Sequence, residues 1–162
     1  MAASQQPRVL FISPGNAVRS IFAEYFMNSK RIGRGRFKAF SAGSQPIGIV
    51  HPYVIRVLED YYKFDAGEAR SKSWDEFRHM DFDMIITLCD RGKESIPFFP
   101  GQSNIAIWNI SHPEQDIRSN VASSSKNWRN KSKCVYSSFL HSRWRNLVTY
   151  ARPLSSPGNR TL

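Results

Sequence analysis

One segment organises this sequence: Ser13-Pro14-Gly15-Asn16-Ala17-Val18-Arg19-Ser20. It follows an apolar run, residues 9–12, that is typical of a short buried strand, and it precedes residues 21–27, which have the apolar content of a helix. A loop that turns from a strand into a helix through Gly and Asn presents backbone N–H groups at the positive end of the helix dipole. Arg19 adds a planar set of donors suited to a tetrahedral oxyanion. The segment predicts an anion site, although an ordinary turn with a solvated Arg fits the same residues.

Length and composition limit the class of protein. The 162 residues suit one domain, and 41% apolar residues are enough for a hydrophobic core. No apolar run approaches the length of about 18 residues that indicates a membrane span, and the polar N-terminus lacks a signal-peptide core. Two cysteines, Cys89 and Cys134, do not make a disulfide framework. We expect a cytoplasmic protein with no membrane contact, no metal and no cofactor.

The formal net charge of +10 is unevenly distributed along the chain. Residues 1–117 hold 14 Lys or Arg and all 13 Asp or Glu, whereas residues 118–162 hold nine Lys or Arg and no acid. A nearly neutral body with a basic end differs from a uniformly basic nucleic-acid binder. Three interpretations of segment 118–162 stay open: a surface for an acidic partner or nucleic acid, a solvated face, and a segment without a selected role.

The loop resembles the phosphate loop of the low-molecular-weight tyrosine phosphatases and the related thioredoxin-coupled arsenate reductases, whose pattern is Cys-x5-Arg-Ser/Thr. Gly15, Asn16, Arg19 and Ser20 match that pattern, whereas Ser13 stands where the family has its nucleophilic Cys. The resemblance implies that phosphate, arsenate or sulfate is bound by Ser13, Gly15, Asn16, Ala17, Val18, Arg19 and Ser20.

Two further segments carry the resemblance. Ser41-Ala42-Gly43 matches a family signature whose Ser hydroxyl hydrogen-bonds the Asn of the phosphate loop, so Ser41 is expected to support the loop through Asn16. A strand-ending Ser in a Gly turn is the plainer alternative. Residues 69–77 resemble the R-S-K-S-W-D-E-F stretch of the arsenate reductase branch nearly residue for residue. The resemblance spans about residues 8–113 and favours that branch over the classical phosphatases.

The residues that would carry out redox and acid catalysis depart from the family. Cys89, after a predicted strand at 84–88, matches the second thiol of the reductase relay, but Ile96 stands where the third thiol is expected. An Ile cannot take part in thiol–disulfide exchange. His112 occupies the position of the Asp that acts as general acid in the phosphatases. A His can carry a proton near neutral pH or bind an anion when charged, and both roles stay open.

The order of elements predicts an α/β fold. Strands at 9–12, 37–43, 84–88 and 105–110 alternate with helices over about 18–30 and 51–62, with Gly33 ending the first helix and His51 starting the second. This alternation fits a three-layer sandwich around a parallel sheet, and the family implies four central strands with the phosphate loop after the first. We expect one domain over residues 1–151, closed by a helix within 134–151. The end, residues 152–162, is typical of a disordered tail.

Chemistry separates binding from turnover in this sequence. A Ser hydroxyl ionises several units higher than a Cys thiol and needs a general base, and it cannot be oxidised and passed along a disulfide relay. We therefore expect an arsenate-reductase-like protein that binds an oxyanion in loop 13–20 with impaired or absent turnover, and thioredoxin is a partner only if reductase chemistry persists. If Ser13 were an engineered replacement of Cys, the parent chain would be an active phosphatase or arsenate reductase. Slow phosphatase activity from Ser13 with His112, and a binding or adaptor protein acting through 118–162, are the other hypotheses.

Overall fold

The computed structural model describes residues 6–31, 33–89, 96–97, 99–100 and 104–108. These residues all belong to one compact unit, residues 1–112. His112, the predicted closing helix within 134–151, the tail 152–162 and the acid-free segment 118–162 lie outside the described residues.

Four parallel strands form one sheet in the order β2-β1-β3-β4. The strands are β1 (Arg8–Ile12), β2 (Lys38–Ala42), β3 (Met84–Thr87) and β4 (Ile105–Ile107). In the central strand, Val9 lies opposite Ala39 of β2 and Met84 of β3. This arrangement confirms the predicted four-stranded parallel sheet of an α/β fold.

Strand β1 is apolar from Val9 to Ile12 because both of its faces are covered there, as is usual in a parallel sheet. Leu10 and Ile12 point to one side, and Phe11 points to the other, where its ring lies 6.2 Å from that of Trp108. The two residues on the first side belong to a buried cluster formed by Leu10, Ile12, Ala42, Phe77, Phe82, Ile85 and Phe99. We call this set the core cluster.

Helix α1 (Arg19–Asn28) packs against β1 and β2 and buries Ile21, Phe22 and Met27. It ends at Asn28, two residues before the predicted limit, because Ser29 has an extended backbone. Gly33 is not the predicted terminator. Its amide donates to Ser29 O at 2.9 Å, and a Cβ there would lie 1.7 Å from Met27 O, so close packing is what requires a glycine.

The second predicted helix is present as helix α2 (Pro52–Arg56), which continues as a π-helical segment, Val57–Tyr61. His51 caps its start, because the His51 Nδ1 accepts a hydrogen bond from Tyr53 N at 3.2 Å. The prediction that His51 starts this helix is confirmed. A short 3-10 helix, Trp74–Phe77, precedes β3. No helix in the described part of the chain is long and apolar enough to cross a membrane.

Candidate anion site

The loop of residues 13–18 leaves the carboxyl end of the central strand and leads into helix α1. Ser13 N donates to Ala42 O at 3.1 Å, and Leu88 N donates to Ile12 O at 2.8 Å. The loop therefore starts between the ends of β2 and β3. This edge is where open α/β sheets bind their ligands.

Three carbonyl groups of the loop, those of Pro14, Gly15 and Ala17, point outward to the surrounding chain. Gln45 N donates to Pro14 O at 3.0 Å, and Ile47 N donates to Gly15 O at 3.1 Å. Ala17 O accepts from the backbone N–H of His51 at 3.1 Å. Residues 45–51 therefore wrap around the loop and satisfy its acceptors.

The amides of Gly15 and Val18 face the opposite way, whereas the amides of Ser13 and Asn16 donate to Ala42 O and Ser13 O. In a planar peptide unit the N–H points away from the C=O, so outward carbonyls at Pro14 and Ala17 turn the amides of Gly15 and Val18 inward. Within residues 6–31 and 33–89, these two amides donate to no other group. The start of α1 adds further first-turn N–H groups on the same side. The backbone thus forms a set of donors for an anion.

Three polar side chains of the loop and of the first turn of α1, those of Ser13, Asn16 and Ser20, are buried and hydrogen-bonded to one another. The hydroxyl oxygens of Ser13 and Ser20 lie 2.7 Å apart, and Asn16 Nδ2 donates to Ser20 Oγ at 2.7 Å. Asn16 has a left-handed backbone with φ of +44°, a conformation that residues other than glycine seldom adopt. Among the described residues, the Ser13 hydroxyl is bonded to another hydroxyl and to no acid or imidazole, so no general base contacts it.

Arg19, the first residue of α1, extends along the loop to the neighbouring strand. Its Nη1 donates to Leu88 O at 3.1 Å, which holds the half-buried guanidinium at the end of β3, beside the start of the loop. Cys89 follows directly and is a buried free thiol. The chain thus brings Ser13, Arg19 and Cys89 to the same edge of the sheet.

The predicted hydrogen bond between Ser41 and Asn16 is wrong. Ser41 Oγ donates to Glu24 Oε2 at 2.5 Å, because α1 packs on β2 and brings the carboxylate over the strand. Asn16 Oδ1 is occupied by the backbone N–H of Lys72, at 2.7 Å. The Ser41 hydroxyl is linked to the loop through Glu24 and Lys72, whose Nζ lies 2.7 Å from Glu24 Oε2.

Sequence reasoning missed these supporting residues. Ser71 Oγ donates to Gly15 O at 3.0 Å, so Ser71 and Lys72 both contact the loop. The match of residues 69–77 to the arsenate reductase branch marked this segment without assigning it a role. Ile96, at the position of the third thiol, packs against the core cluster.

The family profile described as "Low molecular weight phosphotyrosine protein phosphatase" matches residues 8–121 of this chain. The chain therefore belongs to the low molecular weight phosphotyrosine protein phosphatase family. This finding confirms the resemblance noted from loop 13–20.

Within that family the chain is similar to arsenate reductases. A glutaredoxin arsenate reductase of Synechocystis sp. is 29% identical over 107 residues, which are 66% of this chain and 79% of that protein. A solved arsenate reductase in the phosphate binding state has a TM-score of 0.64 and 25% identity, over 89% of this chain and 98% of that one. The arsenate reductase of Archaeoglobus fulgidus has a TM-score of 0.60 and 26% identity, over 87% and 98% of the two chains.

Proposed function

We propose that this protein binds a tetrahedral oxyanion, such as phosphate, arsenate or sulfate, in loop 13–20 and turns it over slowly or not at all. One observation carries the proposal. The amides of Gly15 and Val18 face the inside of the loop without a protein acceptor among the described residues, and the Arg19 guanidinium is held at Leu88 O, next to the strand end from which the loop starts. Inward amides at the start of a helix, next to a guanidinium, favour an anion with several oxygens. The similarity to an arsenate reductase in the phosphate binding state supports the same ligand class.

Impaired turnover follows from the chemistry of two side chains. The Ser13 hydroxyl is bonded to Ser20 and contacts no base within the described residues, so it is a far weaker nucleophile than a thiolate at neutral pH. Ile96 packs as an apolar side chain where the relay needs a thiol, so electrons cannot pass from Cys89 to a third sulfur. We therefore do not expect thioredoxin-coupled arsenate reduction.

Calorimetric titration of the full chain with sulfate tests the proposal. Sulfate is chemically inert, so binding is measured without turnover. We expect 1:1 binding, weakened at least about tenfold in Arg19→Ala because a charge-assisted hydrogen-bond donor is lost. Arg70→Ala is the matched control, because Arg70 is an exposed arginine paired with Glu76 at 2.6 Å. Absence of sulfate and phosphate binding to the unmodified chain, or equal losses in the two variants, would contradict the proposal.

A further inference from the structure

A largely buried ion pair lies next to the anion loop. Lys72 Nζ contacts Glu24 Oε2 at 2.7 Å and Glu24 Oε1 at 3.0 Å. The two side chains are only 12% and 15% exposed. A buried ion pair adds little net stability compared with apolar side chains of the same volume, because both charges must be desolvated. The pair is therefore better explained by an effect on the position of the neighbouring loop than by a contribution to stability.

The backbone of the same lysine holds the loop. The Lys72 N–H donates to Asn16 Oδ1 at 2.7 Å, and the neighbouring Ser71 hydroxyl donates to Gly15 O at 3.0 Å. Asn16 has a φ of +44°, a left-handed conformation that asparagine adopts more readily than most residues and that the hydrogen bond to its side chain helps to hold. Two hydrogen bonds from segment 71–72 therefore secure Gly15 and Asn16, which lie between the Pro14 and Ala17 carbonyls that turn the loop amides inward.

The Lys72 side chain in turn holds this segment in place. Its partner Glu24 belongs to helix α1, the helix that begins where the loop ends. The same carboxylate accepts from Ser41 Oγ of β2. The backbone of Lys72 is also bonded to the residue that directly follows β2, because Gly43 N donates to Lys72 O at 2.8 Å. Glu24 and Lys72 thus connect the helix, the strand and the loop through one ion pair.

We propose that Glu24 and Lys72 are positioning residues of the anion site, and that their ion pair keeps Asn16, and with it the loop amides, in the arrangement that binds an oxyanion. This inference rests on the proposed oxyanion binding. Neither side chain needs to touch the anion. Loss of the pair frees the Lys72 side chain and lets its backbone N–H move away from Asn16.

A Glu24→Gln variant distinguishes positioning from simple charge. Removing a negative charge near an anion site would strengthen anion binding if charge alone mattered. If the pair acts by positioning, Glu24→Gln weakens binding, because a neutral amide holds the Lys72 ammonium less firmly. We expect sulfate affinity to fall at least about fivefold in both Glu24→Gln and Lys72→Met. The double variant should lose no more than Lys72→Met alone, since both changes break the same contact.

The exposed pair of Arg70 and Glu76 is the matched control. It lies two residues from Lys72, and its side chains are 61% and 40% exposed. The hydrogen bond from Arg70 lowers the pKa of Glu76, so this pair is also charged at neutral pH. Arg70→Met and Glu76→Gln should keep the sulfate affinity within about twofold, because an exposed pair contributes little.

The amide NMR shifts of Gly15 and Val18 in the anion-free chain give a second measurement. They should change in Glu24→Gln and stay constant in Glu76→Gln. If Lys72→Met does not fold, as judged by circular dichroism, the Glu24→Gln results alone decide the matter. Failure of the unmodified chain to bind sulfate would overturn the proposed function, on which this inference rests. Sulfate binding that depends on Arg19 but is unchanged or tighter in Glu24→Gln would overturn the positioning role alone.

Discussion

The loop after β1 and the chain after β3 lie side by side at one edge of the sheet, but different contacts build them. In the loop, buried Ser13, Asn16 and Ser20 are joined by hydrogen bonds of 2.7 Å. After β3, Cys89 is a buried free thiol, and Ile96 packs against the core cluster. The loop is a network of polar groups, whereas the described residues after β3 that are named here are buried or packed on the hydrophobic core.

The two regions correspond to two requirements of the chemistry expected for this family, binding an oxyanion and passing electrons between thiols. Holding an oxyanion needs backbone amides and a guanidinium, and these depend on how the chain turns around Asn16 and Arg19. Passing electrons needs thiols within reach of one another, and this depends on the identity of individual side chains. A chain can therefore lose the second capacity and keep the architecture of the first.

The largest expected effect comes from restoring the sulfur in the loop. Ser13→Cys should raise the hydrolysis of p-nitrophenyl phosphate at least about a thousandfold, because a thiol in a cationic loop ionises near neutral pH and is a strong nucleophile. Thioredoxin-coupled arsenate reduction should stay undetectable in the same variant because Ile96 is unchanged. Ser13→Ala is the control for the phosphatase assay.

Arsenate reduction by the Ser13→Cys variant would contradict this contrast between the two regions, since the region after β3 would then still support electron transfer. A Ser13→Cys chain that binds sulfate but does not hydrolyse the aryl phosphate would show that the loop lacks more than its nucleophile.

A smaller effect is expected from adding a methyl group at Gly43, next to the backbone of the loop. An added Cβ at Gly43 would lie 2.6 Å from Pro14 O and 3.2 Å from Asn16 N, and these are backbone atoms that cannot move aside independently. Gly43→Ala should lower the free energy of unfolding by about 1–3 kcal/mol and weaken sulfate binding. Chemical denaturation and calorimetry measure the two quantities.

Gly67→Ala is the control for that substitution, because an added Cβ at Gly67 would lie at an ordinary contact distance of 3.6 Å from Asp65 Oδ1. It should change stability by less than about 0.5 kcal/mol. Unchanged sulfate affinity in Gly43→Ala would mean that the loop tolerates displacement of its neighbours.

The smallest effect is expected in the apolar region. Ile96→Ala should lower the free energy of unfolding by about 1 kcal/mol, because a half-buried side chain loses part of its packing, and it should leave sulfate affinity unchanged. Ile49→Ala, at a side chain that is 72% exposed, is the control and should have almost no effect. A change in sulfate affinity in Ile96→Ala would show that the two regions are coupled.

Much of the fold could be predicted because its signals are local. The apolar run 9–12 indicates a strand that is covered on both faces, and the periodic apolar residues after Arg19 indicate a helix that packs on the sheet. Their alternation with further strands implies parallel pairing, since parallel neighbours need a crossover between them. The prediction of where the helices end was less accurate, because the extended backbone of Ser29 and the π-helical segment Val57–Tyr61 depend on tertiary contacts.

The residues of the candidate site also fall into a part that the sequence predicted and a part that it did not. Gly15, Asn16, Arg19 and Ser20 follow one another along the chain, so the sequence by itself determined that a strand turns into a helix there with a guanidinium at the turn. The supports of that turn are distant in sequence. Lys72 is 56 residues from Asn16 and 48 from Glu24, and the hydroxyl of Ser41 bonds Glu24 in place of Asn16. Only the tertiary structure decided these partners, because a hydrogen bond depends on which atoms meet when a helix packs on a sheet.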